Sequence, residues 1–300
     1  SLESVLTIER SALAVTGDTL TFCRKIFHLA PSEKIPVQIS SRIRLVRPVT
    51  RDDQWQGAAY RNYQRLRATF GALSAATLTE RDPGERRFDD LSLFALALPA
   101  QVGSTTMQFL AGDFFMEWGQ GLALWGPYGQ STGASAIAPV RRQARGLRPY
   151  LSADENFAFR GAALSITHRR LGLIIFASRA RLDAAPQDST TILLSDTGGL
   201  HRTSNELAKR DNATEEALGL GVSFSGNRWR IGALMHQQKF DRLVLPASHP
   251  SNYFDFAGSQ NRLLSLQGEL SLASTLLAGE WAISENTGRA FQVSFETEAK

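Results

Sequence analysis

Residues 112–129 read GDFFMEWGQGLALWGPYG. The even positions Phe114, Met116, Trp118, Leu122 and Leu124 are apolar, interrupted only by Gln120. The odd positions Asp113, Phe115, Glu117, Gly119 and Gly121 supply two carboxylates and space. An alternation of two belongs to a strand, because a helix returns to one face only every three or four residues. The pattern predicts one long strand through 105–125 with an apolar and a charged face. Such a strand suits a wall with lipid on one side and water on the other.

Outward from that stretch, alternation recurs. It marks strands over 37–47, 60–70, 73–80, 91–98, 156–167, 172–181, 217–226, 228–240, 253–272 (bent near Gly258), 275–284 and 289–297. Trp229, Ile231, Ala233 and Met235 oppose Arg228, Arg230 and His236; Leu264, Leu266, Leu270 and Leu272 oppose Ser265, Gln267, Glu269 and Ser271. The connections alternate in length. Long ones at 48–59, 81–90, 126–155, 182–216 and 241–252 are separated by short ones at 71–72, 100–104, 168–171, 227 and 273–274. Only 285–288 is short on the long side. A soluble sandwich has no reason to keep its long loops on every second connection, whereas an up-and-down barrel with short turns at one rim does. The expectation is an all-β, antiparallel up-and-down transmembrane β-barrel of about twelve strands over 37–300, incomplete over this stretch, its first and last strands left as open edges.

Composition is compatible with that. The chain has 300 residues, is 43% hydrophobic and carries a formal charge of +4. Its mean hydropathy of −0.18 argues against a helical membrane protein, and the uncharged runs at 91–112 and 118–140 are broken by Pro, Gly and Ser. A barrel escapes hydropathy detection because only alternate residues face lipid. All but Lys25, Lys34, Lys209, Lys239 and Lys300 of the 33 cations are Arg. Acids nearly balance them, which favours a solvated surface over a polyanion-binding one. Cys23 is the lone cysteine, so no disulfide framework is expected. Residues 1–36 differ: two short helical patterns at 8–15 and 19–27 flank Thr16-Gly17-Asp18, with Asp18 placed to cap the second. Proline-marked linker follows. The absence of a leader before Ser1 and of an aromatic terminal strand reads as an internal piece of a longer precursor.

GDFFMEWGQGLALW, followed by RRQARGLRPYLSADENFAFRGAAL (141–164), resembles a family of large bacterial outer-membrane β-barrel proteins that carry a periplasmic helix-hairpin-helix domain ahead of the barrel. ERDPGE (80–85) and GLHRTSNELAKRD (199–211) fit the same family in the same order. The resemblance covers roughly 37–290. It implies an outer-membrane location, residues 1–36 as the tail of the helix-hairpin-helix region, and a DNA partner for the whole protein.

Candidate sites follow from charge placed on polar faces. Asp113 and Glu117 lie two pleats apart, farther than a catalytic carboxylate pair needs. Arg65, Arg67, Arg160, Arg228 and Arg230 are available to them, and Glu269 is a further carboxylate. An ion-pair network bracing the lumen is favoured over acid–base chemistry, so no enzymatic role is expected. Gly119-Gln120-Gly121 implies close approach of another segment. Gly219-Leu220-Gly221 lacks the helix of a dinucleotide fingerprint, and 221–225 misses the nucleophile elbow. The five histidines show no metal-ligand spacing, and no cofactor or metal is expected. Thr203 to Glu206 has capping-box form. The loop 126–155 concentrates Arg141, Arg142, Arg145 and Arg148 beside Ile137, Val140, Leu147 and Tyr150. It is expected to fold inward, to pair its arginines with Asp113 and Glu117, and to leave a positive constriction.

Three function classes stay open. The first is a channel or uptake component for DNA or another anionic polymer. The second is a plugged barrel that binds surface polysaccharide or a periplasmic or lipoprotein partner. The third, an outer-membrane enzyme, lacks any Ser/His/carboxylate cluster legible in the sequence.

Overall fold

The computed structural model describes residues 7–10, 14–16, 19–29, 37–48, 52–126, 142–155, 157–194, 199–246 and 255–297, the first three segments by strand course alone. The chain is all-β. Its strands are β1 (Thr7–Arg10), β2 (Ala14–Thr16), β3 (Thr19–Leu29), β4 (Val37–Val46), β5 (Arg61–Phe70), β6 (Leu73–Arg81), β7 (Leu91–Val102), β8 (Thr105–Glu117) and β9 (Gly146–Pro149). They continue as β10 (Phe159–His168), β11 (Leu171–Leu182), β12 (Ala185–Pro186), β13 (Thr191–Leu193), β14 (Ala213–Ser225), β15 (Trp229–Leu245), β16 (Gly258–Leu272), β17 (Thr275–Ser284) and β18 (Arg289–Thr297). One short helix, α1 (Ser204–Leu207), is capped by Thr203 and Glu206 in the capping box expected there.

From β3 onward the long strands form an antiparallel meander. β3 pairs β4, β5 follows, then β6, β7, β8, β10, β11, β14, β15, β16, β17 and β18. Its connections keep the alternation read from sequence. The short turns include Gly71 and Gly103, both at positive φ, as two-residue reversals between twisted strands require. The long loops gather at the opposite rim. There the loop before β5 is held to the loops after β6 and β13: Gln56 N–H donates to the Arg202 carbonyl (2.9 Å), and Gly57 N–H to that of Gly84 (2.8 Å).

One expectation about the N-terminal segment needs correction. Residues 7–10, 14–16 and 19–29 hold strands where helices were expected, because β3 finds hydrogen-bonding partners in β4 on one edge and in β1 and β2 on the other. β4 is therefore an inner strand and not an open edge. The role of Asp18 lies outside the described residues. The sheet is not closed into a barrel, in keeping with the incompleteness expected of this stretch. Among the described residues β18 is paired only through β17.

The sheet has two unlike faces. Phe94, Leu98, Phe109, Ile175, Leu218, Leu220, Trp229, Met235, Leu266 and Trp281 stand exposed on one. On the other, Ala97, Leu110, Ala163, Phe176, Ala217, Leu234, Ser265, Ala278 and Glu280 are buried. That second face is concave. Gln120 N–H reaches Glu280 of β17, six ladder steps from β8, or roughly 29 Å across a flat sheet. Gln120 stands six residues beyond Phe114, the last residue of β8 paired to β10, a reach of roughly 20 Å. The sheet must curl to bring them together.

Candidate functional site

The departure point is Gly112. Its φ is +95°, and a Cβ there would lie 2.1 Å from the Phe94 carbonyl oxygen, so only glycine fits. The β7–β8 ladder ends at this residue. Beyond it, β8 parts from β7 and pairs on that edge with β9 instead, Phe114 opposite Pro149 and Glu117 opposite Gly146, while β10 stays paired through Phe114. Asp113 fills the break. Its carboxylate accepts the Phe94 N–H (2.7 Å) and the Arg160 Nε–H (2.7 Å), while Arg160 also donates to the Ser92 carbonyl (2.7 Å). One ion pair thus ties β7, β8 and β10 together.

Phe114, still paired to β10, keeps the concave face that Leu110 holds, and beyond it β8 leaves the wall and both of its faces are buried. Phe114 and Trp118 are 0% and 4% exposed, which corrects the expectation that they face outward. Phe114 joins Phe159, Phe176 and His236 in an aromatic cluster, with Phe159 and Phe176 centroids 4.9 Å apart. Phe115, on the other side, packs edge-on against Tyr150. The expected strand to residue 125 ends at Glu117. Residues 118–124 instead close a tight loop, Trp118 N–H donating to the Leu124 carbonyl (3.0 Å).

That loop rests on Glu280. The carboxylate accepts backbone N–H groups from Gln120 (2.6 Å), Leu122 (3.0 Å) and Ala123 (3.2 Å), and the Ser265 hydroxyl (2.6 Å). The glycines expected to allow close approach do so. A Cβ on Gly119 would stand 2.7 Å from the Glu280 carboxylate, and Gly121, at φ +82°, lies against Arg142. Gln120 exchanges two hydrogen bonds with the Arg142 backbone, each 3.1 Å. The Trp118 ring lies over Gly221 and Gly232, where side chains would collide with it.

The returning segment brings the arginines. Arg145 clamps Glu117 with its backbone N–H (2.9 Å) and guanidinium, Nε to Oε2 at 2.8 Å and Nη2 to Oε1. The Arg142 guanidinium sits over the Trp125 ring. The expected pairing with Glu117 is therefore made by Arg145, whereas Asp113 takes Arg160. Arg141 lies outside the described residues. Arg145 and Arg148 meet Arg65 and Arg67 of β5 around a cavity of ≈610 Å³ that no carboxylate lines among the described residues. On the other side of the fold, Glu117, Trp118, Arg145, Arg230 and Glu269 border a second cavity of ≈330 Å³. Arg230 and Glu269 stand opposite each other in register; Arg228 is exposed in the turn before β15.

A further cluster, which residue spacing could not reveal, lies at the long-loop rim. Buried His201 bonds through Nδ1 to Asp90 and through Nε2 to Asp183 (3.0 Å). Arg210 holds Asp90 from behind. Glu85 accepts the backbone N–H of His201 (3.0 Å) and of Asp82 (2.7 Å). Burial would push the imidazole pKa down, but its bonds to Asp183 and Asp90 more than offset this and raise it to about 10. Burial raises Glu85 to about 7 and Glu155 to about 8, the latter against the attraction of His201. Four loops meet here, each contributing a residue distant in sequence.

No family model matches the chain, and no curated protein matches it.

Proposed function

We propose that the chain is the wall and internal constriction of an outer-membrane β-barrel that conducts an anionic polymer, as the resemblance to helix-hairpin-helix-bearing barrels suggests for DNA. The observation that carries this reading is the arginine cavity. Arg65 and Arg67 come from the wall and Arg145, itself clamped to Glu117, and Arg148 from the inward fold, with no carboxylate among the described lining residues. Two arginines from each side of a gap attract phosphate or carboxylate and repel cations. In this reading the exposed apolar face meets lipid, since alternate residues of a barrel strand do so.

A second reading, a plugged barrel that binds without transport, is favoured by the Glu280 contacts. Three hydrogen bonds hold the inward loop to Glu280 of β17, whose carboxylate is braced by the Ser265 hydroxyl of β16, which suits a fixed plug better than a moving gate.

Conductance of the intact protein in planar bilayers separates the two. The conducting reading expects anion-selective current whose selectivity falls when Arg65, Arg67 and Arg148 are changed to Ser. Current with no ion preference, or selectivity unmoved by those changes, overturns it. A protein that inserts but carries no current supports the plug.

A further inference from the structure

We propose that His201, Asp183 and Glu155 form a divalent-cation site at the long-loop rim, with Asp90 orienting the histidine. The inference does not depend on whether the barrel conducts.

The donors already converge. One ligand atom from each of Glu155, Asp183 and His201 lies within 4.8 Å of the others. His201 Nε2 and Asp183 Oδ2 are 3.0 Å apart. Two ligands bound to one ion at about 2.0–2.1 Å stand roughly 2.9–3.4 Å apart, depending on geometry. The supporting contacts match those of a metal-bound imidazole. Asp90 takes the Nδ1 side and is itself anchored by Arg210, which presents the Nε2 lone pair to an ion. Asp183 is held through its other oxygen, Oδ1, by the Asp211 N–H (2.9 Å).

Glu155 is the telling residue. Among the described residues no hydrogen bond reaches its carboxylate, yet its side chain is pressed against Gly199, where a Cβ would lie 2.5 Å from its Cβ, Cγ and Cδ. It borders a cavity of ≈110 Å³ together with Asp90, Asp183, His201 and Arg210. At about 30 Å³ per water, that space holds an ion and its remaining water ligands. Glu85, although close to His201, is excluded as a ligand because both its oxygens accept backbone N–H groups.

One imidazole nitrogen with two carboxylates favours Zn²⁺ or Mn²⁺ over Mg²⁺ and Ca²⁺, which prefer oxygen alone. On binding, the ion replaces the proton that Nε2 shares with Asp183, and that proton leaves to solvent. The ion would then fasten the loops that follow β9, β11 and β13 to one another.

The test is Zn²⁺ and Mn²⁺ titration of the intact, chelator-stripped protein in detergent, with bound metal counted by mass spectrometry. Wild type should bind one equivalent, and Glu155→Gln should bind at least tenfold more weakly. That substitution removes no hydrogen bond seen here, so the fold should survive it; Asp188→Asn, in an exposed turn, should bind as wild type. Absence of stoichiometric metal in the wild type, or equal binding by Glu155→Gln, would overturn the site.

Discussion

The Glu280 carboxylate lies 2.6 Å from the backbone nitrogen of Gln120, a residue 160 positions earlier in the chain. This bond joins the segment that leaves the wall at Gly112 to the strand on which it comes to rest. The same carboxylate takes the N–H groups of Leu122 and Ala123. Glu280→Ala leaves three backbone donors without their acceptor, at a cost of about 2–4 kcal/mol. Hydrogen exchange should quicken at 119–123 while the β14–β15 ladder stays protected. Unchanged protection at 119–123 would mean the loop is held by something else.

Gly221 and Gly232 form the floor beneath Trp118. A Cβ on either would meet the indole at about 3 Å, 2.9 Å for Gly221 and 3.0 Å for Gly232. Gly221→Val should therefore displace the ring and cost about 1–3 kcal/mol by overpacking. In a variant keeping only Trp118, the emission should shift to longer wavelength. An unmoved emission maximum would place the ring elsewhere.

Gly112→Ala faces a clash with the Phe94 carbonyl and an unfavourable φ together. The φ cost alone is roughly 1–2 kcal/mol, and the clash adds to it. The folded, heat-modifiable band on a denaturing gel should fall sharply. A normal yield of folded protein would show that β8 does not turn at this point.

Asp113 and Arg160 act as one unit, the Asp filling the position that β8 vacates beside Phe94. In a double-mutant cycle with Asp113→Asn and Arg160→Ala, the single changes should not add. A coupling of about 1–3 kcal/mol is expected because Asp113 is buried and would be left without its cation. Simple additivity would contradict the clamp.

Much of this was readable from residue order, for a physical reason. Where a strand stays in the wall, side-chain period equals face, so Trp229, Met235, Leu266 and Trp281 fell where alternation put them. Gly119 and Gly121 announced a close approach before its partner was known. The faces were misassigned at Phe114 and Trp118: Phe114, still paired to β10, continues the concave face of Leu110, and at Trp118 the chain has left the wall, where both faces are buried. In Thr19–Leu29, TLTFCRKIFHL, the apolar spacing allowed a helix, but its threonines and aromatics suit the strand that β4 recruits. His201, Asp90, Asp183 and Glu155 come from loops that only the folded rim assembles. No spacing rule could have joined them.

The central claim of the proposed function is that the exposed face meets lipid while residues 112–126 and 142–149 lie within. Its most direct test is quenching by brominated-chain lipid in bilayers containing the intact protein. Each variant keeps one tryptophan of this chain, the others here and any elsewhere in the protein changed to Phe. Trp229 and Trp281, about 40% exposed at 39% and 40%, should be quenched strongly, and Trp118, 4% exposed, hardly at all. Equal quenching of all three, or strong quenching of Trp118 alone, would contradict the account.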